Sequence, residues 1–255
     1  MKLSVIVPSI RMFGLPALYE SIMDSFEGDF EMIVAGPHPI LWPLSGCKNI
    51  KVILTKRSPN AAQQEAFCHA TGEYISFASD DGQYLPGALD EAINAMNFAT
   101  SEDGGEFIIV GKYLEGDTPN PDMEKDDYYR FKYHKTYRIK GVPQQDYIFN
   151  CGIIRNSFIR KLGGWDAENF EATTMAHADL GIRAKKAGAR MLLMPDVMFK
   201  CSHEPGKTGS HAPIHFAMQR DIKNFQKIYA KLNDRINIEL DNWQHTPEIW
   251  NERFK

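Results

Sequence analysis

Short apolar segments alternate with helical segments along the first hundred residues, and this alternation is the strongest constraint on the fold. Four apolar runs have the length and composition of strands, at residues 3–7, 30–35, 50–54 and 74–78. Apolar side chains recur at helical spacing in the stretches that follow, at residues 15–26, 60–71 and 86–99. Strands that alternate with helices form βαβ units, so the sequence predicts an α/β fold with a mainly parallel central sheet flanked by helices.

The second half of the chain is less regular. Further strands are predicted at residues 107–110, 147–149 and 191–194, and helices at 157–162, 178–187 and 213–232. The sequence shows no internal repeat and no low-complexity linker that would divide it. We therefore predict one domain over residues 1–205, with a C-terminal helix and tail at residues 206–255 that pack on it.

Composition and charge exclude several classes of protein. The 255 residues are 43% hydrophobic and 24% charged, which is typical of a globular domain and not of a disordered chain, a collagen or a coiled coil. The net charge of −4 disfavours a dedicated duplex-DNA binder. No apolar run approaches the ~18 residues of a membrane span. Four scattered cysteines favour reduced thiols over a disulfide framework, so we expect a cytoplasmic protein: Cys47, Cys68, Cys151 and Cys201.

Residues that could contact a ligand follow three of the predicted strands, at the strand ends where ligands of parallel α/β sheets bind. They are Pro8, Ser9 and Arg11 after the first strand, Lys56 and Arg57 after the third, and Asp80 and Asp81 after the fourth. The arginines suit a doubly anionic ligand. A divalent cation, shared by aspartate oxygens and substrate phosphates, would relieve the repulsion between the adjacent carboxylates. Taken alone, however, the sequence Asp80-Asp81-Gly82 is also typical of a simple turn.

Two other segments carry candidate polar groups. His177 and Asp179 are predicted to lie at the N-terminus of the helix at 178–187, where the helix dipole favours an ionised carboxylate. The alternative is that Asp179 only caps this helix and His177 is a polar loop residue. His203 directly follows a predicted strand, and the alternative for it is a surface histidine in a polar loop.

Together and in this order, these segments resemble the family 2 glycosyltransferases, which have the GT-A fold. The resemblance covers roughly residues 3–205 and begins at 4–9, which is similar to the opening strand and uridine-binding turn of the family. Residues 64–81 resemble the segment that ends in the Asp-x-Asp-type signature. Residues 163–166 and 179–183 resemble the acceptor-side motifs. These motifs in register along one chain favour the ligand site over the simple turn at Asp80-Asp81.

The resemblance implies transfer of a sugar from a nucleotide-diphosphate donor, with a UDP-sugar expected, to an acceptor hydroxyl, usually with inversion. It implies donor contacts from Pro8, Ser9, Arg11, Arg57 and Asp80. It also implies a divalent cation, Mn²⁺ or Mg²⁺, bound by Asp80, Asp81 and His203. Such an ion stabilises the charge of the leaving diphosphate as a Lewis acid, and arginine adds charge-assisted hydrogen bonds.

One departure from the family concerns the general base that inversion requires. The family usually places Glu-Asp two residues before the Asp-Leu pair, and here Ala176 and His177 occupy those positions. We predict His177 as the base, since a histidine near its unperturbed pKa accepts a proton at neutral pH. Asp179 would then orient His177 or cap the helix. Asp179 and Glu171 are the alternative bases.

The expected acceptor is a glycan, a lipid-linked carrier or another hydroxyl. Residues 123–140 interleave aromatic and basic side chains, which suit sugars, nucleobases and phosphates, or a solvated surface hairpin. The acidic net charge disfavours a nucleic-acid acceptor. The tail with Trp243 and Trp250 could cover the site, form a homodimer contact or pack on the core. Two other functions stay open: a non-catalytic nucleotide-sugar or glycan-binding module, and a sugar nucleotidyltransferase.

Overall fold

The fold follows the predicted alternation of strands and helices. The computed structural model describes residues 2–115, 151–201 and 212–231. Five of the predicted features lie outside these residues: the aromatic and basic segment at 123–140, the strand at 147–149, His203, and the tail residues Trp243 and Trp250.

Eight strands and six α-helices make up the described part of the chain. The strands are β1 (Lys2–Pro8), β2 (Asp29–Gly36), β3 (Ile50–Leu54), β4 (Tyr74–Phe77), β5 (Gly82–Tyr84), β6 (Phe107–Glu115), β7 (Ile153–Arg155) and β8 (Arg190–Cys201). The helices are α1 (Leu15–Ser25), α2 (Pro59–Cys68), α3 (Ala88–Asp103), α4 (Asn156–Lys161), α5 (Thr173–Lys186) and α6 (Ala212–Lys231).

All eight strands join one sheet, in the order β3-β2-β1-β4-β7-β6-β8-β5. The half formed by β3, β2, β1 and β4 is parallel throughout. Beyond β4 the sheet is mixed, because β7 and β5 pair antiparallel with their neighbours, whereas β6 and β8 are parallel to each other. The predicted α/β class with a C-terminal helix is therefore confirmed, and the strictly parallel part is confined to the N-terminal half.

Side chains alternate across the sheet and form one hydrophobic core on each face. On β1, Leu3, Val5 and Val7 pack with residues of α1 and α3. Ile6 points to the other face, where residues of α2, α5 and α6 cover the sheet. Because both faces are buried, the C-terminal edge of β1 is one of the few places where polar groups of the sheet reach a ligand.

A buried polar cluster around Glu31 joins β1, β2 and the turn before β4. The Glu31 carboxylate accepts hydrogen bonds from the Ser4 hydroxyl at 2.7 Å and from the Thr71 backbone N–H at 2.7 Å, and it pairs with the Lys51 ammonium at 2.7 Å. The Ser4 oxygen in turn accepts from the Gly72 N–H at 2.8 Å. Burial acts to raise the pKa of Glu31, but the hydrogen bonds from Lys51, Ser4 and Thr71 outweigh it and lower this pKa to about 2.

Among the described helices, none is both long enough and apolar enough to cross a bilayer.

The lowered pKa predicts that Glu31 stabilises the fold in its charged form. Glu31→Gln should reduce the free energy of unfolding at pH 7 by ~1–3 kcal/mol, because donors to a buried charge lose their acceptor. In the wild type this stabilisation is present above pH 4.5, the ordinary pKa, and is lost as the pH falls through about 2. Urea unfolding at several pH values should therefore show the difference between the two proteins shrinking in acid. A difference that stays constant down to pH 2 would contradict this assignment.

Candidate active site

Four of the predicted donor-side residues come together at the C-terminal edge of β1 and β4. These strands are parallel neighbours, so the turns that follow them meet. The Asp80 Oδ2 atom accepts from the Ser9 hydroxyl at 3.0 Å, from the Ile10 N–H at 2.8 Å and from the Arg11 N–H at 2.7 Å. Asp80 thereby fixes the backbone of the turn after β1.

The Arg11 guanidinium spans the two adjacent carboxylates. Its Nε and Nη2 lie 3.0 and 2.6 Å from Asp80 Oδ1, and its Nη2 also lies 3.0 Å from Asp81 Oδ2. The repulsion between the two aspartates, which the sequence predicts a metal ion would relieve, is thus relieved by an arginine of the same cluster. With five donors on its two oxygens, Asp80 has its acceptor capacity filled.

Two glycines allow the turns of this cluster to approach each other. A Cβ on Gly14 would lie 2.1 Å from the Asp80 carbonyl oxygen, and a Cβ on Gly36 would lie 1.8 Å from the Ser9 carbonyl oxygen. Both distances are far inside van der Waals contact with rigid backbone. Any side chain at either position would therefore separate the turns that carry Ser9 and Asp80.

The two aspartates differ in how well they fit the expected divalent cation. Asp81 fits, since its side chain is 12% exposed and magnesium sites often use one carboxylate together with substrate phosphates. Asp80 would have to release Arg11 before it could ligate an ion. In residues 2–115, 151–201 and 212–231, no group of three or more potential ligands is assembled. The fit is thus to an ion held by Asp81 and a diphosphate.

A cavity of about 420 Å³ lies beside Arg11. Its walls come from the turn after β1, the start of α1 and the loop that follows β2, and they are mostly apolar. Phe13 and Trp42 stand at this cavity with 82% and 86% of their surfaces exposed. Exposed aromatic rings beside a cation are suited to a ligand with a planar ring and a negative charge.

The other predicted donor residues lie at the same sheet edge. Pro8 is the last residue of β1 and is partly buried. Arg57 follows β3, which is separated from β1 by β2, and its guanidinium lies 3.8 Å from Glu65.

His177 and Asp179 lie within a helix and not at its start. Helix α5 begins at Thr173, five residues before the predicted start at residue 178, and its first turn includes Thr174 and Met175. The interpretation of Asp179 as a first-turn cap is therefore wrong. Side chains two positions apart on a helix do not face each other, so Asp179 is not placed to orient His177.

The His177 ring is buried between aromatic residues. The Trp165 indole N–H donates to His177 Nδ1 at 3.1 Å, and the edge of the Phe77 ring packs with a centroid distance of 4.6 Å. Burial lowers the pKa of His177 to about 3. The imidazole is thus neutral at physiological pH, with its proton on Nε2 and the lone pair of Nδ1 already used by Trp165.

Asp179 belongs to a fully buried network with Arg183, four residues further along α5. The Arg183 Nε donates to Asp179 at 2.7 Å, and the Tyr229 hydroxyl of α6 donates to it at 2.5 Å. Arg183 also donates to the carbonyls of Leu162 and Gly164, at 2.6 and 2.7 Å. The network therefore ties the turn at residues 162–164 to both C-terminal helices.

Helix α2 holds the same turn from the other side. The Gln64 amide donates to the Gly163 carbonyl at 3.0 Å and accepts from the Trp165 N–H at 2.7 Å. The Asn60 amide donates to the carbonyls of Asp166 and Phe170, at 2.7 and 2.9 Å. Sequence reasoning did not assign these roles. The feature that marks these two residues is that Asn60 and Gln64 are polar, four residues apart and completely buried on one face of α2.

Comparison with known proteins identifies the motifs of this edge. The family model for glycosyl transferase family 2 matches residues 43–163, which include β3, α2, β4 and the two aspartates. The matched segment is 121 of the 255 residues, a little under half of the chain. A search of curated proteins found no match.

Several solved structures have a fold similar to that of this chain. S. aureus TarS matches with a TM-score of 0.59 and 15% identity, over 80% of this chain and 37% of TarS. TarS 1–349 in complex with UDP matches with 0.58 and 14%, over 88% of this chain and 65% of that one. The complex with UDP-GlcNAc matches with 0.56 and 14%, over 81% and 60%. At these identities the likeness concerns the fold, and the chain spans about 37% of the length of full TarS.

Helix α6 supplies the cap that α5 lacks. Ala172, the N-cap residue of α5, has no side chain that can accept a hydrogen bond. The Asp221 carboxylate replaces it by accepting from the N–H groups of Ala172 at 2.7 Å and Glu171 at 3.1 Å. Burial raises the pKa of Asp221 to about 7. Arg220 pairs with the Glu171 carboxylate, whose side chain is 13% exposed, so the segment before α5 is held by α6.

The buried network predicts that Asp179 is required for stability. Asp179→Asn leaves the Arg183 charge buried without its counter-ion, so the free energy of unfolding should fall by ~3–5 kcal/mol in urea titrations. The matched control is Asp103→Asn, because Asp103 pairs with Arg190 at 3.0 Å on the surface. That variant should lose less than ~1 kcal/mol. Equal stability of the two variants would contradict the structural role of Asp179.

Proposed function

We propose that the chain is a metal-dependent, inverting glycosyltransferase that moves a sugar from a UDP-sugar to an acceptor hydroxyl. The observation that carries this proposal is the cluster of Ser9, Arg11, Asp80 and Asp81 at the edge of a parallel sheet. The two aspartates of this cluster lie inside the segment that the family model matches. The TarS complexes with UDP and UDP-GlcNAc support the choice of donor.

The donor would lie along the edge formed by β1, β2 and β4. Its nucleoside would occupy the cavity beside Arg11, with Trp42 and Phe13 against the planar base. Its diphosphate would lie at the carboxylate cluster, where Arg11 offers charge-assisted hydrogen bonds. Arg57 would approach the donor from the loop after β3. Pro8, at the end of β1, would limit the depth of the site.

The proposed ion is Mn²⁺ or Mg²⁺, and Asp81 would hold it together with the diphosphate. When bound, the ion would supply positive charge to the leaving nucleoside diphosphate. Asp80 is assigned a different task, because its oxygens are filled by the turn after β1 and by Arg11. It positions the backbone and the guanidinium that face the donor. His203, the third predicted ligand, lies outside the described residues and stays a prediction.

For the general base, the three predicted candidates differ in how available they are. Asp179 is fully buried and neutralised by Arg183. The Nδ1 lone pair of His177 accepts from Trp165. Glu171 has a partly exposed side chain, and its carbonyl accepts from the Asn60 N–H at 3.0 Å, which places it beside the first turn of α2. We therefore assign proton acceptance to Glu171, oriented by Arg220, with His177 as a packing partner of Trp165.

The donor assignment predicts that Asp81→Asn abolishes metal-supported turnover. With Mn²⁺ and UDP-sugars, donor hydrolysis or transfer to a glycan acceptor should fall by about a hundredfold or more, since the removed charge contacts the ion of the leaving group. Release of UDP, followed by a coupled assay, is the measurement. Asp103→Asn, with its exposed carboxylate far along the chain, serves as the control and should retain wild-type turnover.

Other outcomes of this assay separate the competing functions. Binding of UDP-sugar without turnover on any acceptor would favour a non-catalytic binding module. Release of pyrophosphate from a nucleoside triphosphate and a sugar phosphate would favour a nucleotidyltransferase. Absence of any melting-temperature shift with UDP-sugars, with and without Mn²⁺, would overturn the proposal.

The base assignment predicts a contrast between two variants. Glu171→Gln should lower kcat by ~10²–10⁴ and leave the Kd for UDP unchanged, because only the proton transfer is lost. His177→Asn, which removes the buried ring, should lower the melting temperature. It should change kcat by less than about tenfold, well below the ~10²–10⁴ expected for loss of a general base. Steady-state kinetics and thermal melts of both proteins test this. Loss of transfer in a well-folded His177→Asn protein would return the role to His177.

A further inference from the structure

The Arg11 guanidinium lies where it affects the binding of a metal ion to the two aspartates. Nη2 of Arg11 is shared between the two carboxylates, at 2.6 Å from Asp80 and 3.0 Å from Asp81. The guanidinium thus occupies the position between the aspartates where a cation relieves their repulsion. Its side chain is 12% exposed, so water screens this ion pair less than it would at an open surface.

The position of Asp80 does not depend on the Arg11 guanidinium. Asp80 is held independently by the Ser9 hydroxyl and by the backbone N–H groups of Ile10 and Arg11. The close approach of Gly14 to the Asp80 carbonyl fixes the same turn through the backbone. Removal of the guanidinium should therefore leave the Asp80 carboxylate in place and leave the Asp81 carboxylate without this counter-ion.

A divalent ion at Asp81 would meet this guanidinium at short range. Two cations beside one carboxylate repel each other, so the ion can bind well only if Arg11 leaves Asp81. A diphosphate provides the alternative partner, because its oxygens match the planar donors of arginine and bring additional negative charge. The ion and the anion therefore favour the same rearrangement of Arg11.

We propose that Arg11 is an internal counter-ion that excludes free divalent cations from the Asp80–Asp81 pair, so that the ion enters with the diphosphate of the donor. The role of the diphosphate rests on the proposed function, whereas the exclusion of the free ion rests on the geometry of Arg11 alone. Arg11 is a positioning residue in this scheme. It sets the order of binding and prevents the unliganded site from holding an ion.

The test is a Mn²⁺ titration without nucleotide, in which the electron paramagnetic resonance signal of free Mn²⁺ is measured. Arg11→Met keeps the backbone N–H and most of the side-chain length, and removes the charge. This variant should bind Mn²⁺ about tenfold more tightly than the wild type, or better, because two carboxylates lose their cation. The double variant Arg11→Met/Asp81→Asn should lose this binding. Arg11→Lys, which keeps a charge but not the fork, should be intermediate.

A second arm repeats the Mn²⁺ titration with saturating UDP. UDP should tighten Mn²⁺ binding more in the wild type than in Arg11→Met, since only the wild type must displace the guanidinium. Melting temperatures of all variants verify that the fold persists, and Arg11→Lys replaces Arg11→Met if the latter unfolds. Equal Mn²⁺ affinity of wild type and variant without nucleotide overturns the proposal. Absence of UDP binding overturns the donor assignment instead, and leaves the first arm to decide on Arg11.

Discussion

The carboxylate of Asp80 organises the candidate site, because five hydrogen-bond donors from one turn converge on it. A buried carboxylate is costly unless its lone pairs are filled, and here the turn after β1 fills them with two backbone N–H groups, a hydroxyl and a guanidinium. The same hydrogen bonds fix the backbone conformation of the turn and the direction of the Arg11 side chain. The neighbouring Asp81 is then held at the guanidinium. The donor side of the site therefore follows from one acceptor at the end of β4.

The second half of the domain depends on an equally buried ion pair that carries no chemistry in our scheme. Asp179 and Arg183 are both fully buried, and Arg183 reaches the turn that holds Gly164. Residues that resemble an acceptor-side motif thus have a structural reason for their spacing, since i and i+4 side chains meet on a helix. The Tyr229 hydroxyl donates to the second oxygen of Asp179 and attaches α6. A charged motif in a sequence can in this way mark the framework of a site and not its reacting groups.

Periodicity predicted the position of most elements, and it predicted their limits less well. Strand β8, predicted at residues 191–194, spans Arg190–Cys201, and α3, predicted at 86–99, spans Ala88–Asp103. Strand β3 has the predicted limits, and the ends of α1 and β1 differ by one residue. Strands β5 and β7 have three residues each, too few for an alternating pattern to appear. The start of α5 was placed too late because its cap, Asp221, lies on another helix, and local signals cannot reveal a cap from a distant part of the chain. The cluster of Ser9, Arg11 and the two aspartates was predictable, since strand ends of a parallel sheet share an edge. The bridging of both aspartates by Arg11 was not, because spacing contains no information on which way a long side chain turns.

That direction changes the meaning of two adjacent aspartates. In a sequence, the pair indicates a need for a cation, and a metal ion is the usual answer. In this fold the chain itself provides a cation from the turn after β1, 69 residues before Asp80, so the unliganded pair is already neutral in part. The same guanidinium can neutralise a carboxylate or a phosphate, but its fork cannot serve both fully at once. In the proposed scheme an incoming diphosphate would compete with Asp81 for Arg11, and the released Asp81 carboxylate would then be open to an ion. Because Arg11 would exchange one anionic partner for another, the site would stay close to neutral at each step. The order in which the diphosphate and the ion bind would then follow from the fold.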